Sequence, residues 1–213
     1  MSMIITVDGP GGTGKSTVSR LLAERAGLPH LDTGAFYRAA TLAVLEAGVD
    51  PYDEAGVIEV VSRSDLEQED GRMYLDGRDV SAEIREERVT SAVSAVSAHP
   101  GLRRMLVEAQ RAWVERHGGG VIEGRDIGSV VFPEAPFKFY LDASPEVRAR
   151  RRADQTGESY DEVLEDLRRR DRIDSTRAAS PLVVPDGAMV IDTSNLSVEE
   201  VVETMLEAIE AKS

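Results

Sequence analysis

An apolar opening, Met3-Ile4-Ile5-Thr6-Val7, is broken by Asp8 and runs into Gly9-Pro10-Gly11-Gly12-Thr13-Gly14-Lys15-Ser16-Thr17, with amphipathic sequence from Thr17 to Ala26 behind it. This is G-x-x-x-x-G-K-[ST] between a strand pattern and a helix pattern. Few chain geometries accommodate it. Glycines let backbone N–H groups converge on phosphate oxygens without Cβ collisions, and the following helix adds the positive end of its dipole. Lys15 is expected to reach the β- and γ-phosphates, and Ser16 to ligate Mg²⁺. A loop of this kind belongs at the carboxyl end of a strand in an α/β sheet.

The rest of the chain keeps that rhythm. Short apolar runs at Gly120-Val121-Ile122, Phe137 to Leu141 and Ala188 to Ile191 alternate with amphipathic stretches at Pro145 to Ala153 and Val198 to Ala211. Such alternation predicts a parallel sheet flanked by helices. Capping boxes at Ser197 to Glu200 and Ser159 to Glu162, and prolines after Ser144 and His99, mark helix starts. One segment departs from the pattern. Leu66 to Val80 carries two Asp-Gly pairs between strand-like pieces, the signature of type I′ hairpin turns, and predicts a small antiparallel meander inserted in the core. An irregular acidic loop is the alternative. Helical sequence follows from about Ala82 to Ser97 and from Pro100 to Arg116. A length of 213 residues suits one domain with insertions.

Charge narrows the partners. There are 25 Lys and Arg against 39 Asp and Glu, a net charge of −14, so no nucleic acid polymer is expected to be held by bulk positive charge. Any bound anion needs a local basic cluster. With no cysteine there are no disulfides or thiolate metal sites, and His30, His99 and His117 show no metal-ligand spacing. No apolar run reaches the roughly 18 residues of a membrane span, so a cytoplasmic protein without membrane partners is expected. The Asn-Lys-x-Asp signature of guanine-binding proteins is absent, and Val121-Ile122-Glu123 is only a short Walker B candidate. A compact kinase is the P-loop class that fits best.

Arginine supplies nearly all the positive charge, and it is bunched at Arg148, Arg150, Arg151 and Arg152 and again at Arg168, Arg169, Arg170, Arg172 and Arg177. Bidentate guanidinium forks on two such stretches suit a lid that closes over polyphosphate. Surface pairing with Glu146, Glu162, Glu165 and Asp166 accounts for the same pattern. Two further clusters, Asp32-Thr33-Gly34-Ala35-Phe36-Tyr37-Arg38 and Glu123-Gly124-Arg125-Asp126-Ile127-Gly128, fall where strand ends gather ligands or where plain strand-to-helix turns lie.

Taken together, Ile-Thr-Val-Asp-Gly-Pro, Asp-Thr-Gly-Ala-Phe-Tyr-Arg, Gly-Arg-Asp-Ile-Gly-Ser-Val-Val-Phe-Pro, Leu-Asp-Ala-Ser-Pro-Glu-Val-Arg and Arg-Asp-Arg-Ile-Asp-Ser-Thr-Arg-Ala-Ala-Ser-Pro-Leu resemble the bacterial cytidylate kinases almost end to end. The resemblance implies transfer of the γ-phosphoryl group of Mg-ATP to CMP or dCMP by a monomer. It implies an ATP loop from Gly9 to Thr17, a core at 1–33, 98–147 and 171–213, a nucleoside monophosphate (NMP)-binding insertion at about 34–97, and a lid at about 148–170. Acceptor-phosphate contacts would fall on Thr33, Arg38, Arg125 and Arg177, cytosine contacts on Ser94, Arg103 and Asp126, and ribose contacts on Arg170 and Asp174. Lys15, Arg125, Arg148, Arg151 and Arg152 would neutralise charge during transfer. The family often has Ser at position 11, Ser at 33 and Asp at 123, where this chain has Gly11, Thr33 and Glu123. None of the three removes a group the chemistry needs.

Overall fold

The computed structural model describes residues 3–176 and 182–212, without the side chain of Asp174. Two compact units are present, Met1–His30 with His117–Ser213, and Leu31–Arg116. The expected 34–97 insertion lies wholly inside the second, which also contains the helix from Pro100.

The first unit is built on β1 (Met3–Asp8), α1 (Lys15–Ala26), β6 (Gly119–Glu123), β7 (Phe137–Asp142), α6 (Pro145–Thr156), α7 (Tyr160–Thr176), β8 (Met189–Asp192) and α8 (Val198–Glu210). With β2 (His30–Asp32), where the chain passes between units, the sheet order is β2-β6-β1-β7-β8. β1 pairs in parallel with β6 and β7, and β7 with β8. Ile5, Val7, Leu22, Val121, Phe139, Leu141, Val202 and Met205 form its core between the sheet, α1 and α8. The Ser197 box is formed: Ser197 Oγ accepts from the Glu200 amide, and the Ser197 amide donates to Glu200 Oε2. Ser144 caps α6 by accepting from the Val147 amide, with Pro145 as the first helical residue.

The second unit packs α2 (Thr33–Glu46), α3 (Glu54–Arg63), α4 (Glu87–Val96) and α5 (Pro100–His117) around Val44, Val57, Val61, Val96, Leu102 and Leu106. Its meander is β3 (Leu66–Glu69), β4 (Arg72–Leu75) and β5 (Arg78–Asp79), antiparallel throughout. Both turns are two residues long with positive φ at each, 48° and 74° at Asp70-Gly71 and 51° and 75° at Asp76-Gly77. That is the I′ geometry, so the segment is not an irregular loop. Trp113 is buried and donates its indole N–H to the Gln68 carbonyl. Among the described residues no helix is long and apolar enough to cross a membrane.

Candidate active site

β1 occupies the switch point of the sheet, with β6 on one side and β7 on the other, so the loop after it opens into the crevice where α/β sheets hold ligands. Thr13 Oγ1 and Lys15 Nζ both donate to the Pro10 carbonyl, at 3.1 and 2.6 Å. The Lys15 ammonium thus rests on the loop's own backbone. Ser16 is exposed in the first turn of α1. Its single hard oxygen suits a Mg²⁺ held mostly by phosphate oxygens and water.

The three arginines of α6 expected to act in a lid behave differently. Arg148 is 3% exposed: Nε donates to the Ala143 carbonyl at 3.0 Å, Nη1 to the Gly11 carbonyl at 3.0 Å, and both terminal nitrogens engage the Asp171 carboxylate of α7. It braces the phosphate loop against α7. Arg151 donates to Thr193 Oγ1 at 3.1 Å and to the Thr193 carbonyl, while Thr193 Oγ1 lies 3.2 Å from the Thr13 carbonyl. Arg152 is half-buried and forms a long ion pair with Glu158, 3.8 Å. Of the more distal set, Arg170 approaches Asp166 at 3.7 Å. Asp174 lies on α7 with its side chain outside the described set, and Arg177 lies outside the described residues.

Beyond β6 the chain turns through Arg125 and Asp126 into a π-turn, Ile127–Val131. Asp126 is 5% exposed. Arg125 Nη2 lies 3.3 Å from where a Cβ on Gly11 would stand, so glycine at position 11 leaves the guanidinium room over the phosphate loop. Glu123 is buried at the end of β6, 3.6 Å from His30 Nε2. The first unit therefore brings together the phosphate loop, Arg125, Asp126, Arg148 and Arg151.

The second unit gathers the other expected acceptor contacts on three helices. Thr33 is buried at the start of α2, whose N-terminus is capped by Asp32 Oδ1 accepting from the Ala35 amide at 3.1 Å. Arg38 Nη1 donates to the Ile84 carbonyl at 3.0 Å and to Thr90 Oγ1 at 2.9 Å. Arg103, 4% exposed, donates to the Ser97 carbonyl and lies 5.1 Å over the Tyr37 ring. Ser94 is half-buried on α4. A guanidinium this buried, held by a carbonyl and an aromatic face, is fixed in place before any ligand arrives.

Sequence reasoning missed Asp8, Asp171 and Thr193, each a partner of a site residue or of the site's backbone. Asp8 carried one signal, a charge closing an apolar strand.

The sequence pattern of the cytidylate kinases matches residues 5–211. A cytidylate kinase of Mycobacterium leprae (strain Br4923) is 51% identical over 216 residues, covering 99% of this chain and 97% of that protein. One from Caldanaerobacter subterraneus subsp. tengcongensis is 48% identical over 214 residues, covering 98% and 95%. Solved structures share the fold: a gluconokinase from Sinorhizobium meliloti 1021 superposes with a TM-score of 0.53 at 15% identity over 99% and 93% of the chains. A shikimate kinase from Bacteroides thetaiotaomicron gives 0.52 at 13% over 98% of each. With its phosphate loop, its inserted antiparallel sheet and relatives matched nearly end to end, this chain belongs to the cytidylate kinase family.

Proposed function

We propose that this protein transfers the γ-phosphoryl group of Mg-ATP to CMP or dCMP, giving CDP or dCDP and ADP, and that it acts as a cytoplasmic monomer. The observation that carries the reading is Asp126, a buried carboxylate adjacent to Arg125, whose guanidinium stands over Gly11 of the phosphate loop. Such a group accepts from the exocyclic N4 amine of cytosine, whereas uracil would present a carbonyl to it. That mismatch leaves two buried acceptors facing each other and disfavours UMP.

The acceptor is a phosphate monoester with a second pKa of about 6, so it is largely a dianion at neutral pH and needs no general base. The obstacle is charge. Lys15, the backbone N–H groups of Gly11 to Thr17, and Arg125, Arg151 and Arg152 would offset it, with Arg148 holding the Gly11 carbonyl and so the shape of the loop. Mg²⁺, held on the protein side by Ser16, would neutralise donor phosphate charge. Thr33, Arg38 and Arg177 are the remaining acceptor-phosphate contacts, Ser94 and Arg103 join Asp126 on the base, and Arg170 and Asp174 take the ribose. A cleft of about 340 Å³ lined by Glu146, Val147, Arg150, Arg151, Asp154 and Ser194 offers room for the donor nucleoside.

The test is ADP release from Mg-ATP against CMP, dCMP, UMP, AMP, GMP and TMP, for the wild type and Asp126→Ala. CMP and dCMP should dominate, and the variant should lose that preference. Dominance of another acceptor would overturn the assignment.

A further inference from the structure

Asp8 closes β1 at 0% exposure, and phosphoryl transfer as described above makes no use of it. Both of its oxygens are engaged by one distant segment: Oδ1 accepts from the Ile127 amide and Oδ2 from the Gly128 amide, each at 2.7 Å. These are first-turn amides of the 127–131 turn, which have no acceptor within their own helix. Asp8 is thus a cap supplied from another strand. The turn itself is wide, with the Val131 amide donating to the Asp126 carbonyl and the Phe132 amide to the Ile127 carbonyl. Such π geometry is uncommon and needs tertiary support.

The fit is tight. A Cβ on Gly128 would stand 2.8 Å from Thr6 Oγ1 and 3.2 Å from Asp8 Oδ2, so only glycine lets both amides reach the carboxylate. A carboxylate is also the short side chain with two acceptors. Asparagine would turn its NH₂ toward one of the N–H groups. Burial pushes the Asp8 carboxyl up to about 6, Asp126 adds to the rise, and the two amides and Lys15 oppose it. Tyr140, in register with Asp8 on β7, is the other ionisable group facing it, its hydroxyl itself pushed up to about 12 by burial first and by Asp142 and Asp8 after it. At neutral pH the protein therefore holds an ionised carboxylate in its core, a choice that favours strong, charge-assisted fixation of the turn over ease of folding.

We propose that Asp8 is a positioning residue for the acceptor base: by locking the backbone at Ile127 and Gly128 it fixes where Asp126 and Arg125 point, and so sets the discrimination between cytosine and uracil acceptors. The proposal rests on the reading of Asp126 as the group that faces cytosine.

The experiment is steady-state kinetics at pH 7.5 with CMP, UMP and ATP varied in turn, on wild type, Asp8→Asn, Gly128→Ala and Asp126→Ala. Gly128→Ala displaces the turn while leaving Asp8 intact, and it keeps the question open to test if Asp8→Asn folds poorly. Both variants should raise the KM for CMP and narrow the CMP/UMP ratio of kcat/KM by about tenfold, with the KM for ATP within about twofold of wild type. A purely structural carboxylate would lower stability and leave the ratio alone. An unchanged ratio in both variants, or a KM for ATP that rises as far as that for CMP, overturns the proposal while Asp126→Ala still loses discrimination. A wild-type ratio in Asp126→Ala overturns the reading of Asp126 itself, and this proposal with it.

Discussion

Lys15 donates to the Pro10 carbonyl at 2.6 Å from a partly exposed side chain. Removing it takes away charge at the phosphates and little packing. Lys15→Ala should lower kcat by at least about a hundredfold while stability stays within about 0.5 kcal/mol, checked by coupled assay and urea unfolding. Asp8 carries the opposite balance. Its folded carboxyl sits at about 6 against an ordinary 3.8, so the native state binds more protons than the unfolded chain between those values. Stability should therefore fall as pH rises through that window, by up to about 3 kcal/mol for a two-unit shift, and level off above it. Asp8→Asn lacks this step, so the difference in stability between wild type and variant should shift against the wild type from pH 4 to pH 6.5. A difference independent of pH would show that Asp8 is not raised. Lys15 and Ser16 were legible because motif spacing fixes their roles locally. Asp8 was not, because its two partners lie 119 and 120 positions away and bond through backbone amides that any residue possesses.

At the level of elements, the arginine bunch of α6 divides by helix face. Arg148 points into the protein, while Arg150 is exposed and lies 5.5 Å over the Tyr160 ring. Sequence showed the bunching but not the division, since four neighbouring positions sweep most of the way round a helix and Asp171 lies in the next one. Arg148→Met should leave the Gly11 carbonyl and the Asp171 carboxylate without their donor. Asp171 keeps 24% side-chain exposure, so water offsets part of the loss, and about 2 kcal/mol of destabilisation is expected by urea unfolding, below the range for fully buried pairs. No change would mean that the brace is only a surface ion pair. The meander's two turns were legible to the residue, because Asp-Gly at φ near +50° and +75° is one of few chemistries that close a two-residue turn. Gly77→Ala should accordingly cost about 1 kcal/mol, read as a lower urea midpoint at unchanged slope. The strand end at Asp32 was legible, but the extents of β2 and α2 were not. β2 has three residues, too few for a period, and α2 buries so much of its circumference, from Ala35 and Phe36 through Ala39 to Val44, that no apolar stripe stands out.

Over the whole molecule, the net charge of −14 means that both polyanionic substrates must be held by local groups against an unfavourable field. The groups proposed for that role lie in two compact units, each with its own core: the phosphate loop, Arg125 and Asp126 in one, and Thr33, Arg38, Ser94 and Arg103 in the other. Ligands that bind the native state stabilise what they touch, by about 2.7 kcal/mol at a hundredfold excess over Kd, which slows exchange through the corresponding openings about a hundredfold. Native-state hydrogen exchange can therefore assign each substrate to its contacts. CMP alone should slow amides of α2, α4 and α5 together with those at 124–128. A non-hydrolysable ATP analogue alone should slow the amides of Gly11 to Thr17 and the first turns of α1, and leave α4 near its unliganded rate. Arg103→Ala should remove most of the CMP effect on α4 and α5 and none of the analogue's effect on α1, because its guanidinium is held by the Ser97 carbonyl and the Tyr37 ring, both within its own unit. Protection by CMP confined to residues 9–17 and 124–128 would instead strip Thr33, Arg38, Ser94 and Arg103 of an acceptor role and leave the second unit as scaffold.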